Sequence, residues 1–352
     1  MTLLERLEQL HAIGGGPGAN RLGGSAHEDE AHELVAGWMR DSGLEVGRDE
    51  AGNLYGRLRG RRPELTEVWT GSHLDTVPAG GRFDGALGVV GGLEAVERAG
   101  QQERTLAVVA FRDEEGCSGP GCLGSRALCA ALPDPSPAAF VELHIEQGPR
   151  LEEAGAPLAV VTAIAATAKG EVVFEGREGH AGTTPMAGRS DALVAAAEFV
   201  LVLRDAAAAV DEAVATVGRL EVEPGASNVI AARARVSVDV RAPDLDRVDQ
   251  VVAVVPAELS RTAEVEMTPE LVEVLREQLA GLGVPVLDLA SGAGHDAGIL
   301  AAAGVPTGML FVRSLNGGIS HSPDELTAPE DIALALTALE GLLRLLAGSV
   351  DE

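Results

Sequence analysis

Short apolar runs recur along the first half of the chain, and each is followed at once by polar residues. Residues 106–111 are apolar throughout, as is typical of a strand buried on both faces, and they lead into the polar residues 112–116. Residues 141–145 and the shorter run 67–70 follow the same pattern. Because ligands bind at the carboxyl ends of strands in open α/β sheets, we expect these polar residues to share one edge of a sheet.

Helix signals alternate with the strand signals. Ser25 is placed to cap a helix that runs to about residue 42, where Gly43 follows its end. A glycine-rich helix is predicted over residues 86–99, and strands over residues 44–46 and 54–58. This alternation predicts helices layered on a mixed sheet, that is, an α/β protein.

The middle of the chain has a different pattern. It reads as two strands, an alanine-rich helix over residues 190–209, two more strands and a helix over residues 245–255. Residues 233–240 alternate between apolar and polar, so one face of this strand is left to solvent or to another subunit.

The last eighty residues return to the α/β pattern. The predicted elements are a helix over 270–282, a strand over 284–287, a helix after His295, a strand over 307–312 and a last helix from about Asp331. We therefore predict two domains. A mixed-sheet catalytic domain comprises residues 1–166 and 269–352, and an inserted α+β lid and dimerisation domain comprises residues 167–268.

Composition narrows the classes of function. The 352 residues are 46% apolar, and 27 basic against 54 acidic residues give a formal net charge of −27. Such a charge argues against nucleic-acid binding and against docking on an anionic membrane. We expect a cytoplasmic protein, because no membrane span or signal peptide is recognisable. The three cysteines predict neither a disulfide framework nor a CxxC metal site.

Five residues near predicted strand ends form a candidate metal set: His73, Asp84, Glu115, His144 and His321. They offer two imidazoles and a carboxylate to one metal, and one imidazole and a carboxylate to another, with Asp84 bridging both. This mixed set suits Zn²⁺, Mn²⁺, Co²⁺ or Ni²⁺. Asp75, two residues after His73 in an extended segment, is placed to accept a hydrogen bond from its ring. Glu114 and Glu115 are adjacent acids at a strand end and point in different directions, so one can bind metal while the other faces a metal-bound water as general base.

Each candidate also has an ordinary structural interpretation. The sequence HxD occurs in capped loops, Asp84 suits a turn, paired acids are common in the loops of an acidic chain, and His144 suits a packed core. The HExxH-like run from His27 to His32 puts its imidazoles about 140° apart around a helix, so we interpret it as part of a surface helix. The sequence contains no GxSxG elbow, Walker A loop or dinucleotide fingerprint.

Six segments, taken together, resemble a known family. In chain order they are GSHLDTVPAGGRFDGALGVVGGLEA, DEEGCSGPGCLGSRAL, ELHIEQGP, GHAGTTPMAGRSDAL, SGAGHDA and GGISHSPDE, spread from residue 71 to residue 325. They resemble the N-carbamoyl-L-amino-acid hydrolases, together with β-ureidopropionase and allantoate amidohydrolase. This group is a branch of the dinuclear-metal aminoacylase/carboxypeptidase superfamily.

The resemblance implies two divalent metal ions and a role for each matching residue. His73 and His144 would bind one metal, Glu115 and His321 the other, and Asp84 would bridge. Glu114 would be the general base, and Asp75 would hold His73. Four residues would contact substrate: Gln147, His180, Asn228 and Arg241. His180 would donate to the scissile carbonyl oxygen across a homodimer interface, and Arg241 would hold a substrate carboxylate.

The chain departs from the family pattern in a few places. The family has Asn-Glu-Glu-Gly-Ser-Arg-Phe where this chain has Asp-Glu-Glu-Gly-Cys-Ser-Gly at residues 113–119, and Gly179 stands where the family often has Asn. The chain is also shorter before Phe140 and around Ser260. These changes leave the metal set intact but bear on the choice of substrate.

The implied reaction is hydrolysis of a linear amide or ureido C–N bond in a small acid such as an N-carbamoyl-L-amino acid, with release of ammonia and carbon dioxide. Allantoate deamidation and cleavage of N-acyl amino acids or dipeptides are alternatives within the superfamily. An alternative from another class is a catalytically silent relative that binds such an acid as a receptor or regulatory module. The complete set of ligands and base argues against that alternative.

Overall fold

The computed structural model describes residues 1–132 and 136–348. Its helices are α1 (Leu3–His11), α2 (Ala26–Asp41), α3 (Ala86–Ala99), α4 (Leu123–Ala130), α5 (Arg150–Ala154), α6 (Ala192–Ala208), α7 (Leu245–Val252), α8 (Pro269–Gly281), α9 (Asp296–Ala302) and α10 (Pro329–Gly348). Its strands are β1 (Glu45–Arg48), β2 (Leu54–Leu58), β3 (Val68–His73), β4 (Leu106–Phe111), β5 (Ala139–Ile145), β6 (Leu158–Ile164), β7 (Ala166–Glu175), β8 (Val214–Thr216), β9 (Leu220–Glu223), β10 (Arg233–Ala242), β11 (Ser260–Thr262), β12 (Val265–Glu266), β13 (Asp288–Ser291) and β14 (Thr307–Val312).

The chain divides into two compact units. Unit 1 is Met1–Ala163 with Glu266–Glu352, and unit 2 is Ile164–Val265. The predicted two-domain α/β fold is thus confirmed, whereas the catalytic and lid roles of the domains stay predictions. Among the helices of the described residues, none is long and apolar enough to span a membrane.

Unit 1 is built on a nine-stranded mixed sheet. Its order is β1-β2-β4-β3-β5-β14-β6-β12, with β13 paired to β6. The central strands β4, β3, β5 and β14 are mutually parallel, while β2 joins β4 and β6 joins β14 in antiparallel fashion. Every residue of β3, β4, β5 and β14 is buried, as their apolar runs predict for strands covered on both faces.

The glycines of α3 bring this helix close to the sheet. A Cβ at Gly88 would collide with the backbone oxygen of Leu143 in β5, so only glycine fits there. Gly85, which precedes the helix, has a φ of 61°, and a Cβ there would collide with the His73 ring. The glycines therefore allow the N-terminus of α3 to pack closely against His73, a predicted metal ligand.

Unit 2 is an antiparallel sheet with helices. Strand β10 pairs with β7 over its whole length, and with β8 and β9 on its other side, while β11 pairs with the other side of β7. The predicted alternation of β10 is confirmed, because its side chains are buried at every second position. Helix α6 buries one stripe of residues: Ala192, Ala196, Phe199, Leu203 and Ala207.

Several predicted elements were wrong. Only β7 precedes α6 where two strands were predicted, because glycines and a proline fill residues 176–188 with turns. Three strands rather than two follow α6, because one extra residue around Gly218 interrupts the pairing with β10 and divides the first of the two predicted strands into β8 and β9. The strand predicted over 284–287 lies instead at β13, the segment that pairs with β6. The shortened region before Phe140 includes residues 133–135, which lie outside the described residues.

Candidate metal centre and active site

Polar residues meet at one edge of the unit 1 sheet. His73 is the last residue of β3, and His144 is the last but one of β5. Glu114 and Glu115 follow β4, and His321 lies in the loop after β14. Because β4, β3, β5 and β14 are parallel neighbours, their carboxyl ends lie together. The sheet therefore assembles these side chains from four separate parts of the sequence.

Two overlapping clusters of imidazoles and carboxylates lie at this edge. The ligand atoms of His73, Asp84 and His144 lie within 4.8 Å of one another, and so do those of Asp84, Glu115 and His321. Asp84 Oδ1 lies 3.2 Å from His144 Nε2 and 3.7 Å from His73 Nε2, whereas Oδ2 lies 3.3 Å from His321 Nε2. The two oxygens of one buried carboxylate thus face two clusters, as a bridge between two cations requires.

Hydrogen bonds orient the two buried imidazoles. Nδ1 of His144 lies 2.9 Å from the backbone oxygen of Ile145, and Nδ1 of His73 lies 3.1 Å from that of Asp75. A carbonyl oxygen only accepts, so these contacts assign the proton to Nδ1 in both rings. In the neutral form of each ring, the other nitrogen, Nε2, is free to bind a metal, and it faces Asp84.

Asp75 links His73 to the two adjacent acids. Its carboxylate is fully buried, with Oδ1 3.4 Å from His73 Nδ1. Oδ1 also accepts the backbone N–H of Glu114, and Oδ2 accepts that of Glu115, each at 3.0 Å. Although burial opposes it, the contact with His73 and these N–H bonds lower the pKa of Asp75. An ionised Asp75 therefore fixes the backbone that carries both acids.

The surroundings of Glu114 raise the pKa of its carboxyl group. Burial is the largest effect and raises the pKa of Glu114 to about 7; His73 lowers this pKa, and the carboxylate of Glu115 raises it further. Its Oε2 lies 3.8 Å from His73 Nε2, and its Oε1 accepts a hydrogen bond from Cys122 Sγ at 3.3 Å. A carboxyl with a pKa near neutrality both takes and returns protons readily.

The cluster residues fit divalent cations. Four carboxylates and three imidazoles lie together, so negative charge is in excess: Asp75, Asp84, Glu114, Glu115, His73, His144 and His321. Glu115 Oε1 is buried and has no hydrogen-bond partner among the described residues. A buried oxygen without a partner is unfavourable, and a bound cation would satisfy it. The mixed nitrogen and oxygen donors suit Zn²⁺, Mn²⁺, Co²⁺ or Ni²⁺.

Gln147 reaches into the same cluster. Its Nε2 donates to Asp84 Oδ2 at 3.0 Å and lies 3.5 Å from His321 Nε2.

Gln147, His321 and Asp113 all adopt left-handed backbone angles, with φ of 56°, 54° and 47°. Such angles are costly for residues other than glycine and concentrate at functional sites. They aim the loops after β4, β5 and β14 at one point.

Comparison with known proteins identifies the family. The sequence model of Peptidase family M20/M25/M40 matches residues 69–345. The chain belongs to Peptidase family M20/M25/M40. The family resemblance inferred from the sequence motifs is thereby confirmed, and the chain is a hydrolase of this metal-dependent family.

Individual relatives place this M20/M25/M40 hydrolase more closely. It is 38% identical to an N-carbamoyl-L-amino acid amidohydrolase of Geobacillus stearothermophilus, over 96% of each chain. It is 32% identical to allantoate deiminase 1 of Glycine max, over 89% of this chain and 83% of that one. The solved structure of a hydantoinase/carbamoylase family amidase from Burkholderia ambifaria matches with a TM-score of 0.86 at 30% identity, over 99% and 98% of the two chains.

Arg21 supports the candidate metal centre of this M20/M25/M40 hydrolase through hydrogen bonds to residues next to Asp75. The sequence did not single out this residue. Its side chain is fully buried, with Nε donating to the Leu74 oxygen at 2.7 Å and Nη1 to the Leu10 oxygen at 2.8 Å. Its backbone N–H donates to Thr76 Oγ1 at 3.0 Å. Burial lowers the pKa of Arg21 to about 10, so it stays charged. Arg21 thus holds both neighbours of Asp75.

The HExxH-like run lies in α2, which has one exposed face, as predicted for a surface helix, and one buried face, on which the prediction did not place Glu28 and His32. Glu28 and His32 of α2 are fully buried, because this face of the helix covers unit 1 rather than facing water. Glu28 accepts the backbone N–H of Asp113 at 2.9 Å and that of Gly24 at 2.7 Å. Glu28 therefore fixes the turn that precedes Glu114.

The remaining predicted substrate residues lie in unit 2. His180 and Asn228 are exposed neighbours, since the Ala181 N–H donates to the Asn228 oxygen at 3.0 Å and His180 pairs with Val229. Arg241 lies on β10, where its guanidinium binds Asp239 Oδ1 and Oδ2 at 3.0 and 2.9 Å. Asp239 thus orients the guanidinium fork.

Proposed function

We propose that this enzyme hydrolyses the ureido C–N bond of an N-carbamoyl-L-amino acid or a similar small ureido acid, with ammonia and carbon dioxide among the products. The observation that carries the proposal is the position of Asp84, whose two oxygens face two clusters of metal-ligand residues. The 38% identical relative named as an N-carbamoyl-L-amino acid amidohydrolase supports the substrate class.

Two divalent metal ions would occupy the clusters. His73 and His144 would hold one, Glu115 and His321 the other, and Asp84 would belong to both. Bound metals supply Lewis-acid polarisation of the substrate carbonyl and lower the pKa of water. The excess of carboxylates and the buried, unpartnered Oε1 of Glu115 support this occupancy.

Glu114 would move the proton. It takes a proton from the water that attacks the carbonyl carbon, and returns that proton to the leaving nitrogen as the C–N bond breaks. The carbamic acid that remains loses carbon dioxide. The burial of Glu114, which raises its pKa to about 7, and its position beside His73 support a role in proton transfer. Asp75 acts through the backbone N–H bonds that fix Glu114 and Glu115.

Four side chains would hold the substrate: Gln147, His180, Asn228 and Arg241. Arg241 would bind the substrate carboxylate, since a guanidinium fork matches a carboxylate in shape and charge. His180 would donate a hydrogen bond to the scissile carbonyl oxygen, and Asn228 and Gln147 would contact the polar end of the substrate. The exposed positions of His180 and Asn228 and the contacts of Gln147 with Asp84 support these roles.

The protein would act as a homodimer in the cytoplasm. Exposed apolar residues of unit 2 support the dimer, with Leu193, Val194, Leu201 and Val202 on α6, and Val214 and Leu220 on β8 and β9. So many exposed apolar side chains on a small unit are typical of a protein that associates through that unit. The three free cysteines, Cys117, Cys122 and Cys129, support a reducing compartment.

Allantoate deamidation is the second candidate, because the relative from Glycine max at 32% identity is named an allantoate deiminase. Both candidates release ammonia from a ureido acid. They differ in the substrate that the pocket accepts, so a panel of substrates separates them.

The test is ammonia release by metal-stripped protein reloaded with Mn²⁺, Zn²⁺, Co²⁺ or Ni²⁺. The panel contains N-carbamoyl-L-amino acids, N-carbamoyl-β-alanine, allantoate and an N-acetyl amino acid, the last followed by its free amine. Metal-dependent ammonia from N-carbamoyl-L-amino acids is expected. Ammonia from allantoate alone selects the second candidate, and free amine from the acetyl compound alone overturns the ureido assignment.

A further inference from the structure

Glu325 joins two loops that are distant in sequence. Its side chain is buried, and its Oε1 accepts the backbone N–H groups of Phe83 and Asp84 at 2.7 and 3.1 Å. Its Oε2 accepts the hydroxyl of Ser320 at 2.8 Å. One carboxylate therefore binds both loops, which lie more than 200 residues apart along the chain.

These two loops carry two of the candidate metal ligands. Asp84 stands in the first loop, and His321 directly follows Ser320 in the second. Ser320 Oγ also lies 3.4 Å from Asp84 Oδ2, so this hydroxyl connects the Glu325 carboxylate to the carboxylate of the predicted bridging ligand. A Cβ at Gly81 would collide with the Glu325 carboxylate, which shows how closely the first loop is packed on it. Glu325 touches neither Nε2 of His321 nor the carboxylate of Asp84 in these contacts, so it acts through the backbone.

The other cluster depends less on these loops. His73 and His144 lie within strands β3 and β5, and each ring is oriented by a backbone oxygen of its own strand end. His321 has no strand to hold it, and its side chain is 48% exposed. The position of His321 against Asp84 is therefore set by the loop contacts.

We propose that Glu325 is a positioning residue that holds Asp84 against His321, and that it thereby sets the affinity of the second metal position, formed by Asp84, Glu115 and His321. The inference rests on the two-metal occupancy proposed above. It predicts an unequal effect. Asp84 belongs to both positions, but only the second also depends on His321, whose loop is bonded to Glu325, whereas the first keeps its two strand-borne histidines.

The test is a Zn²⁺ titration of metal-free protein against a chromophoric chelator, which resolves two dissociation constants in the wild type. Glu325→Ala should weaken one of them by about 10- to 100-fold, as is common when a residue that supports a metal ligand is removed. The other should change by no more than about threefold. The constant that weakens should be the one that is lost in His321→Ala.

Glu325→Gln is the conservative variant. Its amide oxygen still accepts the two backbone N–H groups, and its amide nitrogen still reaches Ser320, so most of the affinity should return. If Glu325→Ala does not fold, Ser320→Ala replaces it. That change removes the hydroxyl that contacts Glu325, Asp84 and Gln147, but it keeps the bonds of the Glu325 carboxylate to the Phe83 and Asp84 N–H groups. It should weaken the same constant by several-fold.

Asp244→Ala is the matched control. This residue also accepts a backbone N–H, that of Arg247 at 2.8 Å, but it caps α7 in unit 2. Both constants should stay unchanged. Equal weakening of both constants by the Glu325 variants, or no weakening, overturns the positioning role. The titration uses no substrate, so it tests the role of Glu325 independently of the reaction. If the protein releases no product from any substrate of the panel but binds Zn²⁺ with two normal dissociation constants, only the proposed reaction is refuted.

Discussion

Asp75 and Glu114 are joined through a single oxygen: Asp75 Oδ1 accepts the Glu114 backbone N–H at 3.0 Å and also lies 3.4 Å from His73 Nδ1. One buried carboxylate therefore sets both the ring of a candidate ligand and the backbone of the candidate base. Because Asp75 makes both contacts, replacing one of its oxygen atoms by an NH₂ group should lower the rate of catalysis.

Asp75→Asn tests this link. The amide has one acceptor oxygen, so either the Glu114 or the Glu115 N–H would face an NH₂ group instead. We expect kcat to fall by about 10- to 100-fold with KM little changed. Steady-state kinetics on the active ureido substrate measure the split. Asp244→Asn in unit 2 serves as the control, and a wild-type kcat in Asp75→Asn would contradict the assigned role.

Glu114→Gln tests the base. The amide has nearly the same shape but cannot take a proton, so kcat should fall by about 100- to 10,000-fold. Both metals should remain bound, because Glu114 belongs to neither ligand cluster. Turnover and metal content are measured on the same preparation, with the partly exposed Glu103→Gln as control. Near-wild-type turnover would mean that another group takes the proton.

The candidate centre was accessible from the sequence because its residues sit at the ends of strongly apolar strands. The runs that became β4 and β5 are readable by composition alone, and parallel neighbours deliver their carboxyl ends to one place. The structure brings together the five predicted ligands, although their role as ligands stays a proposal.

The supporting residues were not accessible in this way. Arg21 and Glu325 act through contacts with distant backbone atoms, and no local pattern reveals such contacts. Glu28 was misjudged for a related reason. Its helix carries many acids and looks solvated, yet its carboxylate is buried because it accepts the Asp113 N–H of another segment. Burial of a charged residue depends on partners that only the folded chain supplies.

Arg21→Met should destabilise the protein. The change removes the side-chain donor of the buried Leu74 oxygen and one of the two donors of the Leu10 oxygen, which keeps the Ile13 N–H. We expect a loss of about 2–4 kcal/mol in the free energy of unfolding. Urea denaturation of both forms measures it. Arg82→Met removes an exposed pair with Glu8 and should leave the midpoint nearly unchanged. Equal midpoints for Arg21→Met and wild type would contradict the bracing role.

Leu201→Glu tests the dimer. Leu201 is 52% exposed on α6, so the change should spare the fold but place a charge within the proposed interface. Light scattering coupled to size exclusion should give twice 36.1 kDa for the wild type and 36.1 kDa for the variant. Leu4→Glu, at an exposed position of α1 in unit 1, should remain dimeric. A monomeric wild type would refute the proposal directly.

His32 should make the protein sensitive to acid. Burial lowers the pKa of His32 to about 3, followed by the charges of Arg112 and Arg48, and neither ring nitrogen has a hydrogen-bond partner among the described residues. The carboxylates of Asp75 and Asp29 act in the opposite direction. Between the unfolded pKa near 6.5 and the folded value, the unfolded chain binds a proton that the folded chain does not. The free energy of unfolding should therefore decrease as the pH is lowered through this window, by up to about 1.4 kcal/mol per pH unit.

His32→Leu should remove that slope. The variant buries no polar ring, so its stability at pH 7 should match or exceed that of the wild type, and it should lose less stability on going from pH 6.5 to pH 4. Urea denaturation at several pH values measures both quantities. His27→Leu changes an exposed histidine of the same helix and should keep the wild-type slope. If His32→Leu and wild type lose stability in parallel as the pH falls, His32 takes up its proton without unfolding, and the acid sensitivity lies elsewhere.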